Sequence, residues 1–341
     1  MNRARTAPPS RRSILAGAAA LGAGTLLTAC GGGKSDGSDA SGGGSGSWSF
    51  KDDRGTTVKA DGVPEKIVAF IGSAAALKDY GIECTGVFGP TKAADGKPDV
   101  QAGEVDIDKV TVLGNAWGEF NVEKYAGLQP ELLISNMFEK NTLWYVPEES
   151  KKKITALAPS IGISTVGVSL TTPIRRYAQL AESLGADLKS EKATADKKRF
   201  EEASARLRRA AKAAGGIKVL ACSGSPDLFY ASTPSGSADL TYFKELGVDL
   251  VEPDNPDEGG FFESLSWENA DKYKADILFL DNRSSALQPK ALAKKPTWAK
   301  LPAVEAGQVV GWSSEPRYSY AGCAPLIEQL AKAIEDAKKI V

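Results

Sequence analysis

The stretch from Glu191 to Ala214, EKATADKKRFEEASARLRRAAKAA, holds no Gly or Pro and is built from strong helix formers, so it predicts one long unbroken helix. Ser190 can cap its start, and Gly215-Gly216 can stop it. At the usual rise per residue such a helix runs roughly 36 Å, the width of a small domain, which suits a strut laid across two lobes. Phe200, Ala203, Leu207, Ala210, Ala211 and Ala214 recur at helical spacing on one apolar stripe, while Lys198, Glu202 and Arg206 make an i, i+4 charge ladder on another face. A strut needs a body on each side of it, and the two flanks match one another.

Lys66-Ile67-Val68-Ala69-Phe70-Ile71-Gly72 before the helix is answered by Lys218-Val219-Leu220-Ala221-Cys222-Ser223-Gly224 after it. Leu77-Lys78-Asp79-Tyr80-Gly81-Ile82-Glu83 is answered by Phe243-Lys244-Glu245-Leu246-Gly247-Val248-Asp249. Glu123 precedes Glu131-Leu132-Leu133-Ile134 by the interval that separates Glu268 from Asp276-Ile277-Leu278-Phe279. Three matches in one order imply a repeat. Strand and helix alternate in both halves, so the expected fold is α/β: two similar lobes with mainly parallel sheets joined by one long helix. Ligands of such sheets sit beyond the carboxyl ends of the strands, so the segments after Ile71, Ile134, Gly224, Leu280 and Gly311 are where function is sought. A final helix is expected from about Tyr320 to Lys339, buried through Leu326, Leu330, Ala333, Ile334 and Ala337.

The first residues read as export rather than fold. Arg3, Arg5, Arg11 and Arg12 precede an apolar run from Ile14 to Ala29 that is short and rich in Gly and Ala, a signal peptide over residues 1–29. Ser10-Arg11-Arg12-Ser13-Ile14-Leu15 resembles a twin-arginine motif, with an ordinary secretory signal left open. Leu27-Thr28-Ala29-Cys30 resembles a bacterial lipobox, which makes Cys30 the acylated first residue of the mature chain. Residues 30–47, mostly Gly, Ser, Asp, Ala and Lys, have nothing to bury and form a leash from the outer face of the cell membrane. The expected domains are a lobe over 48–189, the linking helix over 190–215 and a lobe over 216–341. The formal charge is −1, and loss of the four arginines of residues 1–29 takes it to −5, which argues against nucleic acid as a partner. Cys84, Cys222 and Cys323 remain; a Cys222–Cys323 bridge and buried free thiols are both open.

The chain holds no histidine, which removes Ser-His-Asp and Cys-His catalysis and His-based zinc or haem sites. It also lacks a phosphate-cradling or dinucleotide glycine motif at a strand-to-helix turn. What the loops do contain is rings and a few arginines: Trp117; Phe138, Trp144 and Tyr145; Tyr230; Arg283; and Trp312, Arg317 and Tyr318. Rings beside Gly, Ser, Pro and Asn at a cleft rim can line a pocket for a bulky, partly apolar ligand, with Arg reaching its oxygens; packing of each ring on its own lobe is the alternative.

At these residues the chain resembles the bacterial ABC-transporter substrate-binding lipoproteins of the helix-linked two-lobe type, which serve iron-siderophore and cobalamin importers. The resemblance runs from about Lys66 to Lys339. It is carried by Val122-Glu123 with Leu128-Gln129-Pro130-Glu131-Leu132-Leu133-Ile134, by Ser266-Trp267-Glu268 with Asp276-Ile277-Leu278, and most specifically by Trp298-Ala299-Lys300-Leu301-Pro302-Ala303-Val304-Glu305-Ala306-Gly307-Gln308-Val309. It implies that Glu123 and Glu268 are the exposed acids, one per lobe, that pair with arginines of the membrane permease; helix-start acids favoured by the dipole are the plain alternative. It implies a ferric siderophore as ligand, brought already wrapped in oxygens, so that no protein metal ligand and no cofactor is needed. Sparse arginines favour a hydroxamate over an anionic catecholate. The expectation is therefore a monomeric, non-enzymatic solute-binding lipoprotein working with an ABC permease and its ATPase. Cobalamin or another large chelate is the alternative within the family; a surface sensor or adhesion module, or a cell-wall enzyme, is the alternative outside it.

Overall fold

The computed structural model describes residues 47–341; the signal peptide, Cys30 and nearly all of the leash lie outside the described residues. The first half comprises β1 (Trp48–Lys51), β2 (Thr57–Ala60), β3 (Ile67–Phe70), α1 (Ile71–Asp79), β4 (Gly86–Phe88), β5 (Thr111–Val112), α2 (Val122–Gly127), β6 (Leu132–Met137), α3 (Glu148–Leu157), β7 (Ser160–Ser164) and α4 (Thr171–Ser183). Then comes α5 (Glu191–Ala213). The second half comprises β8 (Lys218–Gly224), β9 (Leu228–Ser232), α6 (Ala238–Glu245), β10 (Asp249–Leu250), β11 (Phe262–Ser266), β12 (Ile277–Asp281), α7 (Pro289–Leu292), α8 (Pro296–Ala299), α9 (Pro302–Glu305), β13 (Val309–Trp312) and α10 (Tyr320–Asp336).

β3 and β6 are buried along their whole length, as continuous apolar runs must be when helices cover both faces of a parallel sheet. The first sheet has the order β5-β4-β3-β6-β7, with every pairing parallel. The second has the order β11-β9-β8-β12-β13, with β10 beside the start of β8. β8, β10, β12 and β13 are parallel, whereas β9 and β11 run antiparallel and carry an alternating, half-exposed pattern. The repeat read from the sequence is thus a repeat of topology: β4-β3-β6-β7 and β10-β8-β12-β13.

The matched residues do the same work in each half. The Glu131 carboxylate accepts the N–H groups of Glu65 and Lys66 at the entry to β3, and the Asp276 carboxylate accepts the N–H of Lys218 at the entry to β8. Asp276 is fully buried and also takes the N–H groups of Ile340 and Val341 and the Lys339 ammonium. Burial alone would raise its pKa, but these donors outweigh it and hold the carboxyl below the usual range.

Helix α5 forms as the spacing predicts, with Ser190 Oγ accepting the Ala193 N–H at 3.3 Å. Its buried stripe is Phe200, Ala203, Ser204, Leu207 and Ala210, and it lies against α10. Arg199 and Arg206 fork onto Glu328 and Glu335 at 2.5–3.0 Å; the same sequence offset in both pairs means that the two helices run parallel. Arg206 therefore leaves the expected ladder for a partner on another helix, and only Lys198–Glu202 remains of it, at 3.7 Å. One apolar cluster runs from the first sheet through α5 and α10 into the second half. Cys84, Cys222 and Cys323 are buried free thiols, and Cys222 and Cys323 belong to different apolar clusters.

Leu207→Ala is expected to lower unfolding free energy by about 2–5 kcal/mol, because the stripe cannot close over the lost volume, whereas Arg206→Ala on the half-exposed pair should leave the urea midpoint close to that of wild type; urea unfolding distinguishes them. Asp276→Asn is expected to cost about 3 kcal/mol at neutral pH. Its native pKa lies below the unfolded value, so the contribution is complete above ordinary carboxylate pH and is lost as pH falls through the native value. In urea melts the gap between wild type and Asp276→Asn should stay constant from pH 7 to about 4 and shrink below that.

Candidate functional site

The loops at the carboxyl ends of the strands meet where the two halves face each other. From the first half, the segment after β6 carries Phe138, Trp144 and Tyr145, and the loop after β5 carries Trp117. The Trp117 ring lies 4.7 Å from Trp144 and 5.0 Å from Tyr145, and Trp144 lies 5.0 Å from Phe138. Trp117 is 62% exposed, an unusual setting for the largest apolar side chain and one that offers a stacking face. Tyr145 sits at φ 60°, a region that a bulky residue occupies only when its surroundings compel it. The compulsion is local: Ser135 Oγ donates to the Trp144 carbonyl at 2.8 Å, the Trp144 N–H donates to the Asn136 carbonyl at 2.9 Å, and the Tyr145 ring stacks on Phe70 at 5.5 Å.

From the second half, Asp281 closes β12. It accepts Ser223 Oγ at 2.9 Å and Ser314 Oγ at 3.1 Å, which ties together the ends of β8, β12 and β13, and it holds Arg283 through Nε and Nη2. Arg283 Nη1 reaches Glu315. Burial alone would weaken the Arg283 charge, but the two carboxylates more than restore it and keep the guanidinium firmly protonated. Burial raises the Glu315 pKa, with Arg283 opposing the rise. Across the interface Gln101 Nε2 donates to Glu315 at 2.8 Å, and the Ser284 N–H donates to Asp99 at 3.1 Å. The Tyr145 phenol faces this group; desolvation, with Glu315 and Asp99 nearby, pushes its pKa up to about 12.

The structure gathers Trp117, Phe138, Trp144 and Tyr145 into one aromatic group and sets Tyr145 facing Arg283 of the second half, with Phe138 nearly buried behind the other rings. The other expected residues are held in other contacts. Trp312, expected at the rim, is buried at the end of β13, where its indole donates to Asp239 at 2.6 Å. Tyr318 is buried and stacks on Tyr177 at 6.5 Å, joining the halves behind the crevice. Tyr230 lies opposite Ser223 in the β8–β9 register, donates its phenol to Ser225 Oγ at 3.2 Å and packs on Phe262 at 4.7 Å. Arg317 bonds Asp79 at 3.2 Å and lies between Gly103 and Gly322, where a Cβ on either glycine would collide with it. It borders a recess of about 270 Å³ with Val100, Ser313, Glu315 and Gln329. Glu123 and Glu268 are both exposed; Glu268 is set there by the buried Trp267 and borders a recess of about 210 Å³ with Asp271, Thr297 and Lys300. Asp99, Gln101 and Glu315 are the site residues that the sequence did not single out.

Among the described residues no group of three acidic or thiol side chains is arranged to hold a metal ion, and no helix is long and apolar enough to cross a membrane. A family profile described as periplasmic binding protein matches residues 68–316, from the first sheet to beyond β13. The chain belongs to the periplasmic binding protein family. Among solved structures it is similar to DesE, a ferric-siderophore receptor protein from Streptomyces coelicolor, at 60% identity and a TM-score of 0.84, covering 86% of this chain and 100% of that one. It shares its fold with the siderophore periplasmic binding protein from the fuscachelin gene cluster of Thermobifida fusca (23% identity, TM-score 0.56, 80% of this chain and 96% of that). The same holds for the catecholate-siderophore binding protein VctP from Vibrio cholerae (14%, 0.60, 85% and 99%). No curated protein sequence matches significantly. All three solved structures are receptor or binding proteins, and the two α/β halves joined by α5 are the fold they share with this chain.

Arg283→Gln leaves Asp281 and Glu315 without their counter-ion and is expected to cost about 3 kcal/mol in urea unfolding. Arg283→Gln with Glu315→Gln should recover a substantial part of that loss.

Proposed function

We propose that this protein captures a ferric siderophore, a hydroxamate, in the crevice between its halves and delivers it to an ABC permease. The observation that carries this reading is 60% identity over the full length of a ferric-siderophore receptor. The geometry agrees in kind. Trp117, Trp144 and Tyr145 form an aromatic wall of the sort that holds a bulky, partly apolar ligand, opposite polar groups of the second half. A chelate that arrives with iron fully wrapped needs stacking surface and a few hydrogen bonds and no bond from protein to metal. Hydroxamate oxygens surround the ion without excess negative charge, which suits a crevice whose arginine, Arg283, already has acidic partners.

In this reading Glu123 and Glu268 are the docking acids for permease arginines, and acylated Cys30 holds the body at the outer face of the membrane. The repeat supports the first assignment, because both acids stand at equivalent places before β6 and β12. Titration with a ferric trihydroxamate should quench tryptophan fluorescence saturably, and Trp117→Ala should weaken binding about tenfold, the loss of one stacked ring. Saturable quenching by cobalamin, with none by ferric hydroxamates, would overturn the siderophore assignment. Glu123→Ala with Glu268→Ala should abolish uptake by cells while leaving the titration unchanged; loss of binding in that variant would show the acids to be misassigned.

A further inference from the structure

The charges around the crevice do not balance. Arg283 is paired with Asp281 and Glu315, with Asp99 beside them, and Arg317, which shares a recess with Glu315, is paired with Asp79. The Nε and Nη2 of Arg283 are bound to Asp281 and its Nη1 to Glu315, so three of its five N–H groups lie on carboxylates whose charge more than offsets its own. One buried polar atom at the same place is left without a protein partner: Gln101 Oε1, on a side chain only 3% exposed whose amide nitrogen bonds Glu315. An unsatisfied buried group of this kind is costly without a ligand. It is an acceptor, and an acceptor beside two carboxylates is a setting for an N–H group.

We propose that the crevice selects its chelate by charge, admitting cationic and neutral ferric siderophores and rejecting anionic ones, with Arg283 as an internal counter-ion and Glu315 as the residue that sets the preference. This rests on the siderophore reading above and adds to it a rule that acts on the periphery of the chelate, apart from the groups that hold iron. A chelate that ends in a primary ammonium places its charge against Glu315 and Asp99 and can donate to Gln101 Oε1. One that ends in a carboxylate meets the same acids with the opposite sign.

The test uses one linear ferric trihydroxamate with its terminal amine left free, N-acetylated or N-succinylated, titrated against the whole protein by tryptophan fluorescence. The free amine should bind best and the succinylated form worst, with roughly tenfold between neighbours in the series, the size of one unscreened charge interaction at the edge of a protein interior. The spread should contract in high salt. Glu315→Gln, which keeps the size of the side chain and a carbonyl for Gln101, should narrow the gap between free amine and succinylated form about tenfold. Equal affinity for the three forms, or tightest binding of the succinylated one, overturns the charge rule and leaves the siderophore reading standing. Binding of an anionic ferric catecholate in preference to all three overturns the charge rule and the hydroxamate assignment together, and absence of binding by every chelate overturns both readings. The salt series needs no variant, so a Glu315→Gln protein that failed to fold would not protect the rule.

Discussion

Helix α5 has one apolar stripe and a surface otherwise covered by charge, so it is stable only where that stripe is covered, and α10 covers it. Because the two helices run parallel and share a core with both sheets, the linker is packed into the body and does not swing free of it. The join is reinforced where Tyr177 stacks on Tyr318, where Arg317 sits between Gly103 and Gly322, and where Ser169 donates to Glu245 at 2.7 Å. A wide opening would bring this apolar surface into water at about 25 cal/mol for each Å². Movement confined to small shear adjustments avoids that cost, and a crevice built this way must be close to its working shape before the ligand arrives.

The elements were legible because their signals are local. Helix α5 needed only its lack of breakers and the Ser190 cap, and the repeat showed itself because Lys66 and Lys218, and Glu131 and Asp276, hold equivalent strands in place by equivalent bonds. The antiparallel pair β9–β11 was not anticipated, since two short half-buried strands give little periodicity to read. The site was half legible. Loops after the expected strands do hold it, but which ring faces the crevice depends on partners far away in sequence: Trp312 is drawn inward by Asp239, 73 residues before it, while Trp144, similar in its polar neighbours, stays at the crevice. Asp99, Gln101 and Glu315 carry no motif, and they acquire meaning only when the halves meet. Arg206 makes the same point on a helix surface, where an i, i+4 partner was available and a forked bond to Glu335 prevails.

The crevice collects what the rest of the molecule avoids. Asp276, as buried as any acid in the protein, has four donors and a depressed pKa, and Trp312 has its carboxylate. At the interface, Tyr145 has an uncommon backbone conformation, Trp117 is exposed, and Gln101 has a polar atom without a partner. Strain of this kind costs on the order of 1–3 kcal/mol per residue and persists only where its surroundings enforce it. A ligand that stacks on Trp117 and satisfies Gln101 Oε1 would recover part of this free energy without moving the backbone. Arg283, with three of its five N–H groups on carboxylates, fixes the geometry of the acids around it while they offset its charge. In the proposed reading, recognition at such a site depends on the outer surface of the chelate, its shape, its hydrogen-bonding edge and its charge.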